Sequence, residues 1–220
     1  MNKITFTVLA VTKTYSGYCI AGMDQNGEWV RPLPPDRESK FFSSLAYENG
    51  ELVKVGDVWS ITNYQTETDK LSVAHTEDIR IKRFNSFQLV NQLTNKALIN
   101  FVSSHQESYH ELLDTLDARG RSLCMIKIDE FRQVEEKVRI TFIYKGKKYR
   151  NTTFTKGFPV TDLKWRAYLK GIQIPNSYRS IYAIIGLARK EPKKDIYKEY
   201  PMIISLITDP DVPILDSYPH

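Results

Sequence analysis

At 220 residues, with 41% hydrophobic and 26% charged residues, the chain can bury one large core or two of about 100 residues each, which excludes disorder as its main state. Its longest apolar runs, such as 181–187, fall short of the ~18 residues that span a membrane, so no membrane partner is expected. The net charge of +5 is unevenly spread: residues 1–131 hold 14 Lys/Arg against 17 Asp/Glu, and residues 132–200 hold 17 against 6. That excess is the footprint expected of a surface that meets a polyanion, although a plain solvated basic face would look the same.

In chain order, residues 4–11 alternate and are β-branched, which predicts a first strand. Tyr18-Cys19-Ile20-Ala21-Gly22 returns as a second, and Asp24-Gln25-Asn26-Gly27 predicts a hairpin in which Asn-Gly suits a type I′ turn. Trp29-Val30-Arg31-Pro32 forms a short third strand, closed by Pro32, Pro34 and Pro35. Residues 57–64 and 79–84 predict two more strands. Apolar residues at Phe87, Val90, Leu93, Ala97, Leu98 and Phe101 have helical spacing, so 87–101 is expected to be a helix, with a second short helix over 105–116.

The second half opens with a strand over 123–131, then a hairpin of 138–144 and 148–155 turning at Lys145-Gly146-Lys147. Residues 162–169 predict a short helix with Asp162 as N-cap, and 182–187 and 202–207 two apolar strands separated by a basic loop. Many short strands around one helical interruption predict a mainly β fold of two closed, mostly antiparallel OB-like barrels joined by a small helical insert. The expected domains are 1–103, with the helical insert, and 120–220, the basic one.

Several catalytic patterns dissolve on inspection. Pro35-Asp36-Arg37-Glu38-Ser39-Lys40 spells the letters of a PD-(D/E)xK nuclease, but that chemistry needs its acids on separate strands converging on a metal. His105 and His110, five residues apart, share no helix face, and no HExxH or CxxC is present, so no metal is expected. With no phosphate-cradling loop or nucleophile elbow either, no cofactor is expected. Cys19 and Cys124, in separate strand-like runs, read as free thiols of a reducing compartment. The N-terminus lacks a secretory signal, and the two readings together predict a cytoplasmic location that would leave the sequon at Asn151 idle.

The informative residues are aromatics interleaved with bases. Trp29 and Arg31 share one strand face, where a ring can stack a base and a guanidinium grip a phosphate, unless Trp29 is core and Arg31 merely exposed beside it. Lys164-Trp165-Arg166 and Tyr178-Arg179, followed by Tyr182 and Arg189, repeat the pattern inside the basic segment. His75-Thr76-Glu77-Asp78 gathers three ionisable groups before a strand, as a capped turn or a reactive site.

In order, Tyr18-Cys19-Ile20-Ala21-Gly22, Trp29-Val30-Arg31-Pro32, Gly56-Asp57-Val58, His75-Thr76-Glu77-Asp78, Val160-Thr161-Asp162, Tyr182 with Ile185-Gly186-Leu187-Ala188-Arg189, and Ile204-Ser205-Leu206 resemble the bacterial dual OB-containing domain family, over residues 4–207. The apolar Leu33-Pro34-Pro35 after Arg31-Pro32 departs from the more polar segment expected there. The resemblance implies two OB-like barrels and a nucleic-acid role without a settled activity.

The sequence thus points first to a nucleic-acid-binding module for single-stranded or modified nucleic acid, with bases stacked on aromatics and phosphates held by Lys and Arg. The alternative is a nucleotide-sensing or nucleic-acid-modifying enzyme in which Arg31, His75, Glu77, Asp78 and Arg189 converge in a cleft between two lobes. A pure protein-interaction scaffold has no positive feature in its favour. Oligomeric state is left open.

Overall fold

The computed structural model describes residues 2–14, 17–66, 75–83, 87–135, 137–150, 157–171, 177–188 and 199–215. The chain separates into two compact units, Met1–Leu98 and Ile99–His220. Arg189, the sequon at Asn151, and most of the strand predicted over 148–155 and of the basic loop before residue 202 lie outside the described residues.

The first unit is one curled sheet of seven strands: β1 (Lys3–Lys13), β2 (Tyr18–Asp24), β3 (Trp29–Leu33), β4 (Asp57–Thr62), β5 (Tyr64–Thr66), β6 (Asp78–Ile81) and β7 (Phe87–Gln92). Their order is β5-β6-β3-β2-β1-β4-β7, antiparallel except where β6 lies parallel to β3. Phe6, Val8, Met23, Trp59 and Ile61 are buried in its core. Gly22 is required on β2 because a Cβ there would collide with the backbone carbonyl of Thr7 on the neighbouring strand.

Two sequence expectations change here. Residues 87–92 are a strand, not the start of a helix, and only Asn95–Ser104 forms α1. Pairing with β4 supplies the ladder, and the Phe87 ring stacks on Trp59 with centroids 4.7 Å apart, so tertiary contact overrides the helical spacing. The register slips between Val58 and Trp59, leaving Val90 as an extra residue in a bulge. In the β2–β3 turn, Gly27 alone is left-handed, at φ 86°. The Asp24 carboxylate accepts from the N–H groups of Asn26 and Glu28 at 2.8 and 2.9 Å, which replaces the predicted type I′ geometry.

In the second unit, α2 (Tyr109–Leu116) begins in a capping box between Ser108 and Glu111. The strand predicted over 123–131 breaks at Asp129 into β8 (Leu123–Ile128) and β9 (Glu130–Gln133). They serve different sheets. β9, β10 (Arg139–Tyr144), β11 (Lys147–Tyr149) and β12 (Phe158–Pro159) form one, centred on β10; β14 (Pro201–Asp209), β13 (Ser180–Leu187) and β8 form the other. Between β12 and β13 lies α3 (Leu163–Leu169). Ile126, Ile140, Phe142, Trp165, Ala183 and Leu206 are buried in one core. The unit is thus OB-like in being mainly β, but its ladders form two open sheets among the described residues, as the first unit's sheet also ends in two edges, β5 and β7. A parallel bridge between Val160 and Ile203 joins the end of β12 to β14 and so links the two sheets.

Asp162 ties this core together. Its carboxylate is buried, caps α3 by accepting from the Trp165 N–H, and accepts from the Leu206 N–H of β14, each at 3.1 Å. Burial pushes its pKa up, partly countered by Lys164 and the two backbone donors. Replacing Asp162 with Ala removes a cap worth ~1 kcal/mol and leaves a buried N–H without its acceptor, a further ~1–3 kcal/mol. Asp162→Ala is therefore expected to lose about 2–4 kcal/mol, read from denaturant unfolding of the full chain; a loss below ~0.5 kcal/mol would contradict this role.

Neither cysteine forms a disulfide; Cys124 is buried and Cys19 partly so. Burial, with the nearby Glu107 carboxylate, drives the Cys124 thiol far above its usual range. Thiol titration of the native protein is expected to modify Cys19 at most, with Cys124 reacting only after unfolding.

Candidate nucleic-acid interface

Two polar constellations stand out, one buried and one exposed. The buried one grows from the parallel pairing of β3 and β6, which sets Arg31 opposite Asp78. The Arg31 N–H donates to the Glu77 carbonyl at 2.9 Å. Its guanidinium reaches Asp78 Oδ1 through Nε at 2.7 Å and Glu77 Oε1 through Nη2 at 2.5 Å, and Nη2 also meets His75 Nδ1. All four side chains are buried. Burial alone would lower the Arg31 pKa, but Glu77 and then Asp78 outweigh it and raise the pKa further, so the guanidinium stays charged.

On β6, two residues beyond Asp78, Arg80 is buried and donates to the carbonyls of Pro34, Asp36 and Ser39. The Asp36 carboxylate accepts from the Glu38 N–H and the Ser39 hydroxyl, both at 3.0 Å. The segment with nuclease-like letters is thus a turn clamped by an arginine. Among the described residues no three His, Cys, Asp or Glu side chains are placed to hold a metal ion.

Arg31, His75, Glu77 and Asp78 do meet, as the enzyme reading required, but inside the first unit and satisfying one another, while Arg189 lies outside the described residues. Trp29 is half-buried at the start of β3, and the Arg31 beside it is spent on carboxylates.

In the basic segment, Trp165 is 0% exposed, donates from Nε1 to the Leu206 carbonyl at 2.6 Å and lies edge-on to Phe131. Tyr182 is likewise core. Neither ring offers a face to a base, which corrects the stacking role expected of them: large apolar side chains near the chain's most hydrophobic strands went inward. Tyr178 is half-buried against Phe131. Lys164 pairs with Asp211 at 2.6 Å, Arg166 is half-buried and donates to the Val160 carbonyl at 3.3 Å, and Arg179 is exposed but paired with Asp209 at 2.7 Å.

The exposed constellation was missed in the sequence, where 145–150 was read only as a hairpin. Lys145 and Gly146 both take left-handed backbone, φ 50° and 74°, which makes the tight β10–β11 turn. The turn sets out Lys145, Lys147, Lys148 and Arg150, all exposed, and among the described residues none of the four makes an ion pair. Lys145 Nζ lies 5.3 Å from the Tyr144 ring centroid and Lys147 Nζ 5.5 Å from that of Tyr149. Asp129 accepts from the Gly146 N–H at 2.9 Å, and the Glu130 carboxylate is engaged by Arg132. Burial, then a hydrogen bond with Tyr109, pushes the Tyr149 pKa up to about 12. The sequence signal was present in Lys-Gly-Lys-Lys-Tyr-Arg, the same interleaving of bases and aromatics that drew attention elsewhere.

The dual OB-containing domain model matches residues 4–200, and the chain belongs to that family. No curated protein sequence matches it. Among solved structures it is similar to the Ifi202 HINa domain in complex with a 20-base-pair double-stranded DNA, at 9% identity and a TM-score of 0.33, over 93% of this chain and 91% of that one. A murine DNA binding protein bound with double-stranded DNA is similar at 8% identity and a TM-score of 0.32, over 94% of this chain and 99% of that one. No helix among the described residues is long and apolar enough to cross a membrane.

The buried constellation makes a structural prediction. Removing one member of a buried ion cluster strands the others without counter-charge, at about 3–5 kcal/mol. Arg31→Ala should destabilise the chain by that amount in urea unfolding, and Arg31→Lys should not restore it, since an ammonium cannot reach both carboxylates in the same fork. A stable Arg31→Lys protein would show the fork to be dispensable.

Proposed function

We propose that the chain is a nucleic-acid-binding module that holds single strands through phosphate contacts and base stacking, with the β10–β11 hairpin of the second unit as its cationic grip. One observation carries the reading: four exposed cations, Lys145, Lys147, Lys148 and Arg150, follow one another around a single hairpin, and none is within ion-pair distance of a carboxylate among the described residues. Elsewhere in the same segment Lys164, Arg179 and Arg132 are each matched by a carboxylate. Unmatched like charges repel one another, and a phosphate backbone relieves that repulsion while releasing condensed counterions.

Backbone conformation supports the same reading. A lysine at a left-handed turn position costs more than Asn or Gly would there, yet Lys145 keeps a cation at the tip. Arg166 and Arg179 would extend the grip on this reading, once Arg179 exchanges Asp209 for phosphate. The enzyme alternative gains nothing comparable, because Arg31, Glu77 and Asp78 already satisfy one another.

Binding of a labelled single strand, followed by fluorescence anisotropy, is expected to weaken steeply with salt. Four contacts give a slope of log affinity against log salt of about −2.8, or a loss of ~50-fold between ~50 and ~200 mM. Replacing Lys145, Lys147, Lys148 and Arg150 together with Ala should flatten that slope towards zero. Binding that ignores salt, or that keeps its slope in the fourfold variant, would place the grip elsewhere.

A further inference from the structure

The first turn of α2 adds an aromatic to this hairpin. Tyr109 follows the N-cap Ser108, whose hydroxyl and backbone are held by Glu111 in the capping box, so the backbone that carries the ring is fixed. The ring lies nearly parallel to Tyr144, 17° between planes and 6.3 Å between centroids. Lys145 Nζ abuts that same Tyr144 ring, and Tyr149, which meets Tyr144 edge-on at 6.3 Å, carries Lys147 over its own. Tyr109 is 40% exposed, the one aromatic of the described residues that presents so much surface. An amphipathic ring backed by Tyr144 on a capped helix turn, and left open to water beside the hairpin cations, is unexplained by packing.

We infer that Tyr109 is a base-stacking platform, and that Tyr109, Lys145 and Lys147 form a subsite for one unpaired nucleotide, the ring taking the base and the two ammonium groups the flanking phosphates. The inference rests on the nucleic-acid reading above and narrows it to single strands. Every base has a π-face, so stacking is indifferent to sequence, but in a duplex both faces are covered by neighbouring base pairs. Phosphates alone would attract duplex and single strand alike; an exposed ring discriminates between them. DNA and RNA single strands share this chemistry.

The test uses the full chain with labelled oligothymidylate, oligouridylate and a blunt duplex, each of about 12 nucleotides per strand, within the site sizes of OB folds. The wild type is expected to prefer both single strands to the duplex, and the difference between the two single strands shows which sugar is favoured. Tyr109→Ala should weaken single-strand binding by about 5- to 150-fold, the range for loss of one stacked base, with the salt slope unchanged. Tyr109→Leu, which keeps apolar cover but no π-face, should lose as much, whereas Tyr109→Trp should bind at least as well as wild type. A ring needed only for folding would instead show equal melting losses in the Ala and Trp variants. Unchanged binding by both Tyr109→Ala and Tyr109→Leu, with weakened binding by Lys145→Ala and Lys147→Ala, overturns the stacking inference and leaves the binding reading standing. No binding of wild type to any of the three probes at low salt overturns both.

Discussion

A guanidinium taken out of water must bring its counter-charges with it, and in the first unit that requirement decides where the chain goes. Arg31 sits on a short strand that could end the sheet at β3. Glu77 and Asp78 arrive from more than forty positions later, and their contact with Arg31 holds β6 parallel to β3. Among the described residues β5 joins the sheet only through β6, so two of the seven strands hang on this one cluster. Arg80, carried in by the same strand, then fixes the proline-rich turn after β3. In the second unit Asp162 plays the converse part, an acid satisfied by backbone donors from α3 and β14. Both are polar groups whose burial is tolerable only in one arrangement of chain, which makes them specifiers of fold as much as sources of stability.

Much of this was legible in the residues, and the exceptions share a cause. The Asp162 cap, the Lys145-Gly146 turn and the succession of short strands follow from local rules, because a cap or a tight turn is decided within a few residues. Phe87–Gln92 was misread because the spacing of Phe87, Val90 and Leu93 fits a helix equally well; what selects the strand is β4 and the face of Trp59, nearly thirty residues away. The bulge at Val90 also breaks the alternation that would have signalled a strand. Among candidate site residues, Arg31, His75, Glu77 and Asp78 were rightly grouped as chemically unusual, but a sequence cannot distinguish a poised cleft from a satisfied core cluster. Trp165 and Tyr182 were drawn to the surface by the charged letters beside them, when each ring faces inward. Tyr109 was invisible for the opposite reason: Lys145 lies thirty-six positions further on, and only the fold puts the Tyr109 ring against Tyr144.

The two units divide their labour chemically. In the first, Arg31 and Arg80 are turned inward and spent on carboxylates and carbonyls; in the second, the hairpin cations are turned outward. Net charge alone would not separate these uses, since an arginine adds the same unit of charge in either place. The relevant quantity is charge left without a partner, and four such cations lie within the six residues 145–150 of the β10–β11 hairpin.

The irregularity at Val90 bears on how the protein keeps to itself. An open sheet ends in rows of unused N–H and C=O groups that invite a strand from another molecule. Along β7 the extra residue disturbs the even rhythm of those groups, and the side chains around it are Gln88, Asn91 and Gln92. A visiting strand would find only two or three residues in step before the ladder fails, too few to hold. Among the described residues β7 pairs on one side only, with β4, and the bulge that hid the strand from its own sequence pattern also interrupts the ladder a visiting strand would need.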